Sequence, residues 1–415
     1  LAALLALIVG VTRVVLGVLR LGPVAYLMSE PVLLGFTSAA AVLILASQLP
    51  VIFDVTAEGD GVLARGWWTL THPGQWEPAA LALAAITLVL MLLGPRIHRL
   101  FPGVLAAVAL GTILSAAGGY DGSTIGELPG GFLSLNGTFP WGETAGLLLP
   151  GVVIALVGFA EPASIARTFA TADRQHWDAS RELVSQGVAN LASAVSGALP
   201  VGGSFSRSAL NRLAGASTRW SGAITGLLLL LFLPFSPVLE DLPRAILGAI
   251  VFGAGYKLVQ SRSMVDLWSQ SPPQAALAWT TFGVTLAMAP RIDLGILAGV
   301  GLAILRHVWL EAKMRADVDY DAGTLTIRPS GVIWFVSTPA LEDLLIDHLA
   351  DHPDARRLVI DLAQAGRIDY TGAAAVARVV VDARAAGLEA EVVAIPPRTR
   401  RTLTDLLSES GTDGA

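Results

Sequence analysis

The sequence predicts an all-α polytopic membrane domain over residues 1–312, followed by a small α/β domain over 313–415. Three observations carry this prediction. Of the 415 residues, the first 312 hold 16 Lys/Arg and 17 Asp/Glu, about 11% charged, while the remainder hold 11 and 16, about 26%, the norm for soluble proteins. Ten apolar runs in the first part are each long enough to cross about 30 Å of hydrocarbon. The last part alternates short buried-strand patterns with helical ones. A segment of 312 residues this poor in charge cannot clothe a water-soluble core.

The ten runs fall at about residues 1–19, 31–49, 78–94, 101–118, 145–165, 183–199, 220–235, 243–259, 273–290 and 292–310. Between the sixth and seventh lies Leu199-Pro200-Val201-Gly202-Gly203-Ser204-Phe205-Ser206-Arg207-Ser208-Ala209-Leu210. It is too short and polar to span alone, and it reads as a broken half-helix. Counting that segment as a pass, and placing Arg20 inside, puts thirteen Lys/Arg in one alternating set of loops. Only Arg65, Arg244 and Arg291 fall in the other set. The excess of basic residues on the inner side sets the tail in the cytoplasm. Trp67, Trp68 and Trp76 then mark the outer interface.

An internal repeat sets the architecture. Pro31-Val32-Leu33-Leu34-Gly35 resembles Pro243-Arg244-Ala245-Ile246-Leu247-Gly248, each opening a span. Gly103-Val104-Leu105-Ala106-Ala107-Val108-Ala109-Leu110 matches Gly295-Ile296-Leu297-Ala298-Gly299-Val300-Gly301-Leu302 at five of eight positions. Each pair occupies the same ordinal place in its group of spans. The second group, residues 145–310, has seven passes including the half-helix, while the first shows four. A unit with an odd number of passes repeats upside down. The expectation is a seven-plus-seven inverted repeat whose first three helices are missing from this sequence.

The interruption concentrates the chemistry. A span broken at mid-membrane leaves backbone N–H groups that must meet protein, water or a ligand. Pro200 lacks a donor, Gly202 and Gly203 allow close approach, and Ser204 and Ser206 suit a helix N-terminus. The amides near Ser204–Ser206 would aim a positive dipole end into the membrane, which is an anion site. Arg207 strengthens that reading, because an arginine at membrane depth costs at least about 2.5 kcal/mol and calls for a negative partner. Gly203, Ser204, Phe205, Ser206 and Arg207 are therefore the candidate anion-binding residues. Glu161, beside Pro162 and deep in the fifth run, is the candidate for a coupling cation or proton, or for holding Arg207. The alternative is a helix-end glutamate near cytoplasmic water. Arg13 has no partner legible in the sequence and is expected to snorkel inward.

With no cysteine there is no disulfide framework, cysteine nucleophile or cysteine metal site. The six histidines show no metal-ligand spacing, and no nucleophile has a visible base. Neither an enzyme, a metal nor another cofactor is expected. The net charge of −6, without a basic patch, gives no reason to expect a nucleic acid.

These residues resemble the SulP family of sulfate permeases and anion exchangers. Gly202-Gly203-Ser204-Phe205-Ser206-Arg207-Ser208-Ala209-Leu210-Asn211 looks like the family's tenth-helix motif, and Ser29-Glu30-Pro31-Val32-Leu33-Leu34-Gly35-Phe36 like the start of its fifth helix. The resemblance implies that residues 1–312 hold helices four to fourteen. Residues 1–22 and about 145–235 would lie in a core domain, and about 29–118 and 243–312 in a gate domain. It also implies an anion between half-helices three and ten, lined by Ser204 to Arg207 with Glu161 nearby, and movement of core against gate. With helices one and three absent, the chain as given should not transport.

In the tail, Val332–Val336 and Leu358–Leu362 read as buried strands, Pro339–Leu349 and Gly372–Ala386 as helices, Glu391–Ile395 as a strand and Arg398–Leu407 as a last helix. Residues 313–415 resemble the STAS domain, whose loop matches Ile368-Asp369-Tyr370-Thr371-Gly372. Thr371 reads as a helix N-cap, the alternative being a regulatory phosphosite of the kind that position carries in the antagonists. The expected function is secondary active transport of a small inorganic or carboxylate anion (sulfate, bicarbonate or dicarboxylate) with H⁺ or Na⁺ as co-ion, or by exchange. The protein would be a multi-pass homodimer in the bilayer of the inner membrane. The alternatives are a nucleobase permease on the same architecture and a membrane-anchored sensor or scaffold signalling through its tail.

Overall fold

The computed structural model describes residues 1–23, 29–98, 101–118, 120–128, 130–132, 135 and 137–409, without the side chains of Phe205, Ser206 and Glu409. It divides into two compact units, Leu1–Val300 and Gly301–Ala415.

The helices of the first unit are α1 (Ala2–Val18), α2 (Glu30–Ile52), α3 (Val62–Thr71), α4 (Pro78–Ile97), α5 (Gly103–Gly118), α6 (Thr144–Asp173), α7 (Ala179–Val195), α8 (Phe205–Leu213), α9 (Trp220–Phe232), α10 (Arg244–Gly255), α11 (Ser261–Gln270), α12 (Pro272–Ala287) and α13 (Ile292–Ala312), the last running into the second unit. Every apolar run is helical. Five stretches are long and apolar enough to cross a membrane: Glu30–Ile52, Pro78–Ile97, Trp141–Asp173, Trp220–Leu239 and Ile292–Ala312. Others are shorter than the runs that foretold them. The 243–259 run yields a twelve-residue α10 that tightens into a 3₁₀ turn at Tyr256–Leu258.

Two packed groups hold the helices of this unit other than α9. In one, a four-helix order whose second member has ten residues occurs twice, as α2–α3–α4–α5 and α10–α11–α12–α13. The packing repeats as well: α2 lies on α12, α10 lies on α4, and α2 meets α10. That exchange is what a two-fold relation between the halves requires. The matching sequence segments are the contact points. A Cβ at Gly35 would strike the Ala278 carbonyl on α12, and one at Gly248 would come to 3.1 Å from Val51 and Ile52 on α2. At Gly103 it would lie 2.5 Å from the Leu90 carbonyl of α4, and at Gly295 it would strike Thr285 of α12.

The other group contains α1, α6, α7 and α8. Here α1 and α7 approach backbone to backbone. A Cβ at Gly187 would fall 2.8 Å from the Val14 nitrogen and 2.9 Å from the Gly10 carbonyl, and one at Gly17 would fall 2.6 Å from the Ser180 carbonyl. Between apolar helices in lipid, small residues at the seam allow the close van der Waals contact that replaces a hydrophobic driving force.

The second unit is a mixed sheet with helices. β1 (Arg315–Asp321) pairs antiparallel with β2 (Thr324–Ile333), starting with Arg315 opposite Ser330. β2 runs parallel to β3 (Arg357–Asp361), β3 parallel to β5 (Glu389–Val393), and β4 (Ala365–Ile368) parallel to the end of β2. Helices α14 (Thr338–Asp351), α15 (Tyr370–Ala385) and α16 (Arg400–Glu409) complete it. Leu325, Ile327, Ile333, Leu358, Ile360, Val376 and Val380 form the centre of its core.

Two expectations are corrected here. The strand read over Val332–Val336 stops at Ile333, because the Ser337 hydroxyl accepts the Trp334 N–H at 3.0 Å and donates to the Val332 carbonyl at 3.0 Å, closing a turn. Phe335 is consequently 62% exposed rather than buried. The N-cap of α15 is Asp369, whose carboxylate accepts the Gly372 N–H at 2.7 Å, so Thr371 is an exposed residue of the first turn and not the cap.

The α1–α7 seam gives a direct prediction. Gly187→Val places branched carbons against the backbone of Gly10 and Val14 and should destabilise by about 1–3 kcal/mol or more. Size-exclusion profiles and melting temperatures of the detergent-solubilised full-length protein should show loss of the monodisperse species, whereas Gly226→Ala on α9, with no atom near its Cβ position, should not.

Candidate functional site

The interruption foretold between α7 and α8 is present. Helix α7 ends at Val195, Gly197 takes φ 73°, and residues 198–204 are non-helical before α8 begins at Phe205. A non-helical stretch among apolar helices must find partners for its peptide groups. The preceding helix supplies them. Fully buried Asn190 accepts the Val201 N–H on Oδ1 at 2.9 Å and donates from Nδ2 to the Val201 carbonyl at 2.9 Å, while Ser193 donates to the Leu199 carbonyl at 2.5 Å. Asn190 Nδ2 also reaches the Gln186 carbonyl at 2.8 Å. Pro200 has no N–H to satisfy.

A second hand on this segment comes from α1. Arg13, expected to snorkel, is instead 1% exposed. It donates from Nε to the Ala155 carbonyl at 3.0 Å, from Nη2 to the Ile154 carbonyl at 3.4 Å and from Nη1 to the Val201 carbonyl at 3.2 Å. One side chain thus ties α1 to α6 and to the break. Gly158 makes room for it, since a Cβ there would lie 2.8 Å from Nη2. Pro162 leaves the Gly158 carbonyl without its helical donor. That carbonyl is also the nearest atom to a Cβ built on Gly202, at 3.6 Å.

Helix α8 is fixed at both ends to the second half of α6. A Cβ at Gly203 would sit 3.1 Å from the Pro162 ring, and Arg212 Nη1 donates to Asp173 at 2.8 Å with its guanidinium 4.8 Å from the Phe169 ring centre. The two helices therefore run side by side in the same direction. The α8 N-terminus meets α6 at Pro162, the nineteenth of its thirty residues. Ser204 has the extended backbone of an N-cap, φ −139° and ψ 127°, without a side-chain cap bond. The first bond of the helix is Ser208 N–H to the Ser204 carbonyl at 3.0 Å. The amides of Phe205, Ser206 and Arg207 precede it and form the positive end of the dipole.

The candidate residues divide accordingly. Gly203 and Ser204 are half-buried against α6, Arg207 is exposed on the first turn of α8, and the side chains of Phe205 and Ser206 lie outside the described residues. Glu161, expected to be buried, is exposed: it faces away from the side of α6 on which Pro162, Ala163 and Ile165 are buried. Among the ion pairs of the described residues, none joins Glu161 to Arg207. The supporting residues not assigned from sequence are Asn190, Ser193 and the partners of Arg13. The signal that could have found them is the rule that a strongly polar residue inside an apolar span needs a partner in the bundle.

Comparison with known proteins follows the same layout. The model of the sulfate permease family matches residues 1–281, and that of the STAS domain matches residues 315–408. The Arabidopsis thaliana protein named "Probable sulfate transporter 4.2" is 30% identical over 429 residues, covering 91% of this chain and 61% of its own. The "Sodium-independent sulfate anion transporter" of Bos taurus is 26% identical, covering 89% and 67%. Against several such relatives the chain spans about half to three-fifths of their length. In fold it is similar to the murine Slc26a9 anion transporter in the inward-facing state, with TM-score 0.89 at 18% identity over 97% of this chain and 71% of that one. It is also similar to the transmembrane domain of a cyanobacterial bicarbonate transporter, BicA, with TM-score 0.59 at 22% identity over 73% and 76%.

Removing the clamp on Val201 should loosen the break. Asn190→Leu strips the partner from the part-buried Val201 N–H, at a cost of about 1 kcal/mol. A lowered melting temperature, with faster amide hydrogen exchange confined to residues 199–207, is expected.

Proposed function

The chain belongs to the sulfate permease family, whose model covers residues 1–281, and on that footing we propose that the protein carries small anions of the sulfate, bicarbonate or dicarboxylate class across a membrane by alternating access. The observation that carries this is the α8 N-terminus. Its three leading amides open beside the middle of α6, with Arg207 on the same turn. An oxyanion there would accept backbone N–H bonds and meet a guanidinium able to bind it in a bidentate manner. Relatives named for sulfate and a structural neighbour named for bicarbonate agree with that chemistry.

Movement would take place between the two packed groups. The group of α1, α6, α7 and α8 carries the site, so its displacement against the α2–α5 and α10–α13 group would expose the anion to one side and then the other. Glu161, one residue from the Pro162–Gly203 contact, would take the H⁺ or Na⁺ of a symport cycle. We place the STAS domain in the cytoplasm on the bias of basic loop residues, and a homodimer in the inner membrane on the family resemblance; Thr371 on the exposed first turn of α15 is open to a kinase. A phosphate there would be favoured by the α15 dipole.

The test is uptake of labelled sulfate and bicarbonate into proteoliposomes by the full-length protein. Arg207→Ala and Ser206→Ala should each lower Vmax/KM tenfold or more, equivalent to about 1.4 kcal/mol. Saturable uptake left unchanged by both would remove α8 from the site.

A further inference from the structure

Arg13 is built into the bundle more firmly than hydrogen bonding requires. Its three acceptors already have partners. The Ile154 and Ala155 carbonyls lie inside continuous α6, where the helix supplies an N–H to each. The Val201 carbonyl receives Asn190 Nδ2 at 2.9 Å. No backbone group would be orphaned by an apolar residue at position 13. An arginine guanidinium carries its charge at neutral pH. Among the described residues no carboxylate lies within 4.0 Å of it. A whole positive charge, 1% exposed, is thus held by neutral carbonyls beside the break. Such a charge is costly in the bundle interior unless something negative comes near.

We propose that Arg13 is a positioning residue whose unneutralised charge, fixed against Val201, sets the affinity of the α8 terminus for anions and scales it with anion valence. This rests on the anion-site reading of α8 above. Val201 precedes Ser204 by three residues, so at most about 10 Å of extended chain separates the carbonyl that holds the guanidinium from the start of α8. At 1% exposure, with its donors on backbone carbonyls, the guanidinium does not contact an anion at the helix start but is close enough to act through its field. At that separation and an effective permittivity of about 20, one unit charge acting on a monovalent anion changes affinity about tenfold, and on a divalent anion about a hundredfold. Arg207, exposed on the first turn, would contact the anion; Arg13 would act on it from behind the break and keep the site electropositive when Arg207 moves.

The experiment measures Kd for sulfate and for nitrate in the full-length protein, from anion-dependent shifts of melting temperature, together with KM and Vmax of sulfate uptake. Arg13→Gln keeps hydrogen-bond donors and removes the charge; Arg13→Lys keeps the charge and removes the fork. Arg13→Gln should raise Kd and KM for sulfate at least tenfold, raise Kd for nitrate several-fold less, and leave Vmax within about threefold; Arg13→Lys should hold all values within about threefold. An unchanged sulfate Kd in Arg13→Gln, an equal effect on both anions, or a loss in Arg13→Lys as large as in Arg13→Gln overturns the proposal. Should Arg13→Gln fail to fold, the lysine variant decides alone, since a loss of sulfate affinity with charge retained is the contrary result. Failure of the wild type to show saturable binding or uptake of any anion would instead sink the anion-site reading, and this proposal with it.

Discussion

Two side chains meeting one peptide group hold the break between α7 and α8 in place. Asn190 pairs with both the N–H and the carbonyl of Val201, and Arg13 reaches the same carbonyl from another helix. Without such partners, the residues between α7 and α8 could not remain extended among apolar helices, because each unpaired peptide group there costs several kcal/mol. With them, the chain gains a helix that begins partway along its neighbour. That start is what leaves three amides without a partner inside the helix and pointing away from it.

The remaining architecture can be understood as support for that start. Backbone contact at Gly10, Gly17 and Gly187 brings α1 close enough to α7 for Arg13 to reach beyond it. The prolines of α6 have a similar use. Pro162 frees the Gly158 carbonyl toward Gly202 and packs its ring on Gly203, so the break in one helix is matched to a missing donor in the other. The twice-repeated group of α2–α5 and α10–α13 contributes none of these contacts, and its own seams are again glycines against carbonyls or small side chains. Each of the two groups is cemented internally in this way.

Much of this could be read in the sequence, for reasons that are physical. Apolar runs bounded by Gly, Pro and charge gave the spans, since a bilayer demands length and hydrophobicity and little else. The Pro200-Val201-Gly202-Gly203 punctuation gave the break, because a proline followed by paired glycines cannot continue a helix without support. Arg13 was harder: its spacing fits a snorkelling residue equally well, and only the fold brings Ala155 and Val201, well over a hundred residues away, to its side. The exposure of Glu161 was not legible, because burial in a helix depends on azimuth, and a proline beside it says nothing of which face is covered. In the tail, Thr371 and Asp369 are both fit to cap α15; the sequence cannot tell which one has the extended backbone. The chain-like run Val332-Ile333-Trp334-Phe335-Val336 looked like one strand because Ser337, just beyond it, folds back by a hydrogen bond that hydropathy does not register.

The most direct measurement is a structure of the full-length protein with selenate bound, located by its anomalous scattering. The predicted result is selenate oxygens accepting from the Phe205, Ser206 and Arg207 amides, with Asn190 and Arg13 still joined at Val201. Selenate bound saturably at another place, with those three amides facing only water or protein, would contradict it.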